Sequence, residues 1–114
     1  MVLVKTSSDD FKKTLTTVAK NAQLVQQLNN GTADPARIRD LVSEITGRQL
    51  DPSNFIVLPF HTDYGAEIYF GKNAFVNQDA MFIDRGGIYV GDHVLIGPAL
   101  YHYFREPLAG QQRA

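Results

Sequence analysis

The chain has 114 residues, enough for one domain, and its 44% hydrophobic and 20% charged residues are a globular balance that argues against disorder. Eleven Lys and Arg against twelve Asp and Glu leave a formal charge of −1, so no basic excess is present to neutralise a nucleic-acid backbone. The absence of Cys excludes a disulfide scaffold, a thiolate metal site and a cysteine nucleophile, and it fits a cytoplasmic protein.

The N-terminus, Met1-Val2-Leu3-Val4-Lys5, places its charge after a short apolar stretch, so no signal peptide is expected. No apolar run reaches the ~18 residues of a membrane helix, and no membrane partner is expected. The first predicted helix carries Phe11, Leu15, Val18, Ala22 and Val25 at alternating spacings of four and three, one apolar stripe. Ser7, Ser8, Asp9 and Asp10 start it, and Asn29, Asn30 and Gly31 stop it. A second helix begins at the cap Asp34 with Pro35 at its first position. It buries Ile38, Leu41, Val42 and Ile45 and ends at Gly47. Arg37, Arg39 and Asp40 fit its solvated face. Asp51-Pro52 breaks the chain before a new pattern.

From Phe55 the helical period gives way to a six-residue one. Phe70, Val76 and Phe82 are six apart, as are Val90 and Ile96, and Ile68, Ala74, Ala80, Ile88 and Val94 each stand two residues earlier. The step from Phe82 to Val90 is eight, so two residues are inserted near Asp84-Arg85-Gly86-Gly87. An apolar pair every six residues, with small residues alongside, describes short strands joined by tight turns, three to a triangular coil of ~18 residues. The expected organisation is a helical segment over residues 1–54, a partial coil of roughly two and a half turns over 55–101, and an irregular tail over 102–114.

Taken in order, Ile38-Arg39-Asp40-Leu41, Ser43-Glu44-Ile45-Thr46-Gly47, Pro59-Phe60-His61-Thr62-Asp63-Tyr64-Gly65, Phe70-Gly71-Lys72-Asn73, Phe75-Val76-Asn77, Asp84-Arg85-Gly86-Gly87-Ile88, Val90-Gly91-Asp92 and Leu95-Ile96-Gly97-Pro98 resemble the hexapeptide-repeat sugar O-acetyltransferases, the maltose and galactoside acetyltransferase group. The resemblance implies a mixed α and β fold, N-terminal helices followed by a short, incomplete left-handed parallel β-helix. It implies acetyl transfer from acetyl-CoA to a sugar hydroxyl, with a histidine as general base, no metal, and trimers whose active sites lie between subunits. Asp63, Tyr64, Asn77 and Asp84 fall at the family's acceptor-binding positions. Each also fits a plainer role: Asp63 and Asn77 as turn formers, Tyr64 as packing under the helices, and Asp84 with Arg85 as a solvated turn pair.

The resemblance stops at Pro98. The family's Asn-His segment has no counterpart, which leaves His102 and Glu106 as weak candidates for the base. His61 and His93 fit surface positions, and three scattered His without carboxylate spacing make no metal site. The later repeats that bind coenzyme A in the family are missing as well, so the resemblance implies a C-terminally truncated acetyltransferase of low or no intrinsic activity. Two alternatives stand beside it. One is a non-catalytic module that oligomerises, joins a full-length relative or binds carbohydrate; the other is an enzyme completed by a second chain.

Overall fold

The structure is a computed structural model that describes residues 8–97. Helix α1 runs Asp9–Asn29 and helix α2 runs Pro35–Thr46. Ser8 caps α1 by accepting from the Phe11 N–H at 3.1 Å, and Asp9 and Asp10 set negative charge against the helix N-terminus. Asp34 caps α2 in the same way through Arg37 N–H, and Gly47 ends it in the left-handed region at φ 76°. Ile38, Leu41, Val42 and Ile45 are buried, as the spacing predicts.

The expected stripe of α1 is only partly inward. Leu15 is 50% exposed and Ala22 is exposed, whereas Asn21 and Leu28 are buried. The helix is turned so that Val18, Asn21, Leu24, Val25 and Leu28 follow one another toward the core. Arg37 also departs from expectation. Its guanidinium is not solvated along a helix face but donates to the carbonyls of Leu28 (3.2 Å), Thr32 (3.0 Å) and Gln27, closing the C-terminal end of α1.

Among the described residues seven short strands follow: β1 (Phe55–Ile56), β2 (His61–Thr62), β3 (Ile68–Phe70), β4 (Phe75–Val76), β5 (Met81–Phe82), β6 (Ile88–Val90) and β7 (Leu95–Ile96). They form three parallel sheets, β1-β4-β7, β2-β5 and β3-β6, so the chain visits each sheet in turn and winds a three-sided coil. Phe55 lies opposite Phe75, His61 opposite Met81, and Ile68 opposite Ile88. The coil therefore advances by 20 residues per turn, not by eighteen. The reason is that the eight-residue step is not a single insertion. It occurs between β2 and β3 as well as between β5 and β6, one wide corner in each turn.

The inward pairs fill the coil. Ile56, Ile68, Ala74, Val76, Ala80, Phe82 and Val90 are buried, and Phe70, Ile88, Val94 and Ile96 pack partly buried against them. At the start of the coil Asn54 occupies the slot below Ala74. Its Oδ1 accepts from Ala74 N–H at 2.8 Å and its Nδ2 donates to Gly71 O at 2.8 Å. One amide side chain thus takes the place of a preceding turn of backbone. The helices dock on this end through a second amide. Asn29 Nδ2 donates to Phe60 O and Asn29 Oδ1 accepts from Phe60 N–H, both at 2.9 Å.

Candidate functional site

The two wide corners stack on each other, and at them Asp63, Tyr64, Asp84 and Arg85 come together. Thr62 lies opposite Phe82, which sets Asp84 above Tyr64 in the next turn. Asp84 is fully buried. Its Oδ1 accepts from the Thr62 hydroxyl at 2.7 Å and from Gly65 N–H at 2.8 Å, and its Oδ2 accepts from Glu67 N–H at 3.0 Å. In return Asp84 N–H donates to Asp63 Oδ1 at 3.2 Å. Burial pushes the Asp84 carboxyl up, but the donors Gly65, Thr62 and Glu67 outweigh it and hold the carboxyl below its ordinary value. The solvated turn pair expected of Asp84 and Arg85 is not what forms: the carboxylate faces inward and both its oxygens are taken.

Asp63, by contrast, is exposed with one oxygen uncommitted among the described residues. Tyr64 is half-buried, and the Arg85 guanidinium lies over its ring, 4.9 Å from the centroid. Gly65 turns the chain at φ +89°, where a side chain would strike Ile45. The corner is also held from the helices. Asn21, on α1, donates from Nδ2 to Tyr64 O at 2.6 Å and to Ile45 O at 2.9 Å. Asn21 Oδ1 is buried and has no partner among the described residues.

Asn77 is not brought to this corner. It sits in the turn between β4 and β5, one side of the triangle away, where its Oδ1 accepts from Gln78 N–H at 2.8 Å. On the strand between the two corners, His61 Nε2 lies 3.1 Å from Asp79 Oδ1, both exposed to solvent. His93 is exposed in the turn between β6 and β7 with φ 60°. His102 and Glu106 lie outside the described residues, as does the whole tail over 102–114. Among the described residues no group of three or more His, Asp or Glu is placed to hold a metal ion. Among them, too, no helix is long and apolar enough to cross a membrane.

Asn21, Thr62 and Gly65 complete the corner, and sequence reasoning gives none of them a role. The one signal in the sequence is the pair Asn21 and Asn29, eight residues apart on the face of α1 that packs inward.

A three-sided parallel coil built from six- and eight-residue sides, preceded by two helices, defines a hexapeptide-repeat architecture. The comparisons with known proteins agree. A solved structure of the hexapeptide-repeat-containing acetyltransferase VCA0836 from Vibrio cholerae superposes with a TM-score of 0.70 at 29% identity, over 82% of this chain and 50% of that one. The same Vibrio cholerae protein in complex with acetyl coenzyme A superposes at 0.66 with 26% identity, over 85% of this chain and 50% of that one. Nodulation protein L of Rhizobium meliloti is 36% identical over 55 residues, 48% of this chain and 30% of that protein. No protein-family profile matches the chain. The chain is thus similar to hexapeptide-repeat acetyltransferases in fold and in sequence, and it spans half of the solved structures and about a third of that curated relative.

Proposed function

We propose that this chain forms the acceptor side of an acetyl-CoA-dependent sugar O-acetyltransferase, on a left-handed parallel β-helix that assembles as a trimer. The observation that carries the reading is the wide corner: an exposed carboxylate, Asp63, next to Tyr64 and fixed by the backbone N–H of the buried Asp84, in a fold shared with acetyltransferases. Asp63 accepts hydrogen bonds from sugar hydroxyls, and the edge of Tyr64 left open by Arg85 borders the sugar ring. Asn77 contributes an amide that both donates and accepts. Because the Asp63 and Asn77 corners stand a six-residue side of the triangle apart, farther than a monosaccharide reaches, one small sugar meets both only where corners of two protomers meet. A trimer supplies that arrangement. Asp84 acts through the backbone of the corner rather than on the sugar.

In the reaction a base removes the proton of the acceptor hydroxyl, whose oxygen attacks the thioester carbonyl; the C–S bond breaks and coenzyme A leaves as the thiol with that proton. Among the described residues neither His61 nor His93 stands at the corner with Asp63. We therefore propose that the isolated chain binds acceptor with little or no acetyl transfer, the base and donor site coming from sequence or chains beyond these residues. The test is an NMR titration of the chain with mono- and disaccharides, run beside thiol release from acetyl-CoA. Shifts confined to the amides of 63–65 and of Asn77, with thiol release at background, are expected. Absence of any shift overturns the acceptor role, and rapid sugar-dependent thiol release overturns the low activity.

A second reading, an association module, is favoured by the β1-β4-β7 face. Phe55 and Phe75 stack in parallel at 5.5 Å, and with Leu95 they leave an apolar ladder exposed beside a cleft of about 250 Å³ under α2, which Arg39 helps to line. If association is the function, sedimentation will show concentration-dependent oligomers that Phe75→Asp disperses, with no sugar-induced shifts. A sugar-binding chain whose oligomeric state ignores Phe75→Asp excludes it.

A further inference from the structure

Two of the four arginines among the described residues spend their donors inside the protein. Arg37 gives its guanidinium to three carbonyls, and Arg48 donates to Ala66 O and Ile68 O while lying over the Tyr69 ring. Arg85 differs. Its guanidinium is oriented by the Tyr64 ring, yet among the described residues it enters no ion pair and no side-chain hydrogen bond. The space next to it is clear, because Gly86 and Gly87 follow at φ +108° and +94°, and a side chain at Gly86 would meet nothing within 4 Å. The result is an exposed fork of N–H donors held over Tyr64, at the same wide corner as the exposed carboxylate of Asp63, with which it forms no ion pair. Such a fork matches a planar carboxylate or a phosphate, whereas a neutral hydroxyl uses one donor and none of the charge.

Resting on the acceptor-side reading above, we propose that the sugar taken at this corner carries an anionic group, which Arg85 receives while Asp63 accepts from its hydroxyls. The nearby carboxylates oppose an anion, so the preference depends on contact with the guanidinium rather than on the general field. Glu67 is partly occupied by Gly86 N–H at 3.2 Å, and Asp84 is buried against its own donors.

The experiment is an NMR titration of the full chain with glucose, glucuronate and glucose 6-phosphate, repeated on Arg85→Gln and Arg85→Lys. At least one of the two anionic sugars is expected to bind about tenfold more tightly than glucose, and which one separates a carboxylate from a phosphate as the group received. Arg85→Gln should bring that ratio to about one, and Arg85→Lys should leave it in between, because a point charge lacks the fork. Glucose binding as tightly as both anions overturns the inference and leaves the acceptor reading standing. A preference that survives Arg85→Gln also overturns it, since another group then receives the anion. No binding by any of the three overturns both.

Discussion

Asp84 shows how a buried charged residue can define a corner of the coil. It collects three donors from one turn of the coil while its own N–H clips Asp63 in that same turn, so the two wide corners lock reciprocally. Since folding lowers its pKa, the stabilisation it provides is complete above the unfolded value near ~3.9 and fades as pH falls through the folded value. Asp84→Asn should cost about 2–3 kcal/mol at neutral pH, because an amide nitrogen would face N–H donors. Chemical denaturation from pH 7 to pH 3 checks both parts: the variant is less stable at pH 7, and its stability falls less steeply in acid. Gly65→Ala should be destabilising by a comparable amount, about 1–3 kcal/mol, from strain at positive φ together with the clash against Ile45. In sequence Asp84 and Arg85 read as an adjacent charge pair, and only the stacking of one turn on another reveals that the first faces in and the second out.

The helices are legible where local chemistry sets them. Ser8, Asp34, Pro35 and Gly47 occupy the cap and first-turn positions that their backbone preferences dictate. The docking of α1 is not legible, because hydropathy patterns count Asn as surface, whereas Asn21 and Asn29 point into the coil to satisfy backbone groups at Tyr64 and Phe60. The spacing of Leu15 and Ala22 therefore marks them for a face that the asparagines claim instead. Asn29→Ala should leave the Phe60 N–H and carbonyl without their partners and cost about 1–3 kcal/mol. Hydrogen exchange gives the sharper check: the Phe60 amide loses protection in the variant, while amides in the middle turn, such as Asn77, keep theirs through Ile96 O.

Across the whole molecule the coil is expected from Phe55, its phase is readable from Ile68 onward, and the register of its first turn is hidden. The first turn places Asn54 and Thr62 in slots that hold Ala74 and Phe82 one turn later, so the apolar code is broken where the coil meets the helices and the wide corner. That gap conceals the first eight-residue side, and the later one then resembles an isolated insertion. Ile68 is completely buried beneath Ile88, and Ile68→Ala should cost about 2–5 kcal/mol in denaturant unfolding, more than any surface exchange on the same strand.

The 20-residue turn sets the unit in which such a chain can change length. Like residues stack on like at that interval: Phe55 on Phe75, Tyr69 on Tyr89 and Ile68 on Ile88. A second copy of residues 57–76 spliced in after Val76 would keep the stacking of Ile68 and Tyr69 in register, while setting Tyr64 in the slot that Asp84 fills. An eighteen-residue copy would slide a narrow corner over a wide one and bring a carboxylate to a place with no Thr62 hydroxyl and no Gly65 amide to meet it. Growth and loss by whole rungs are therefore open to this architecture, and fractional rungs are closed to it.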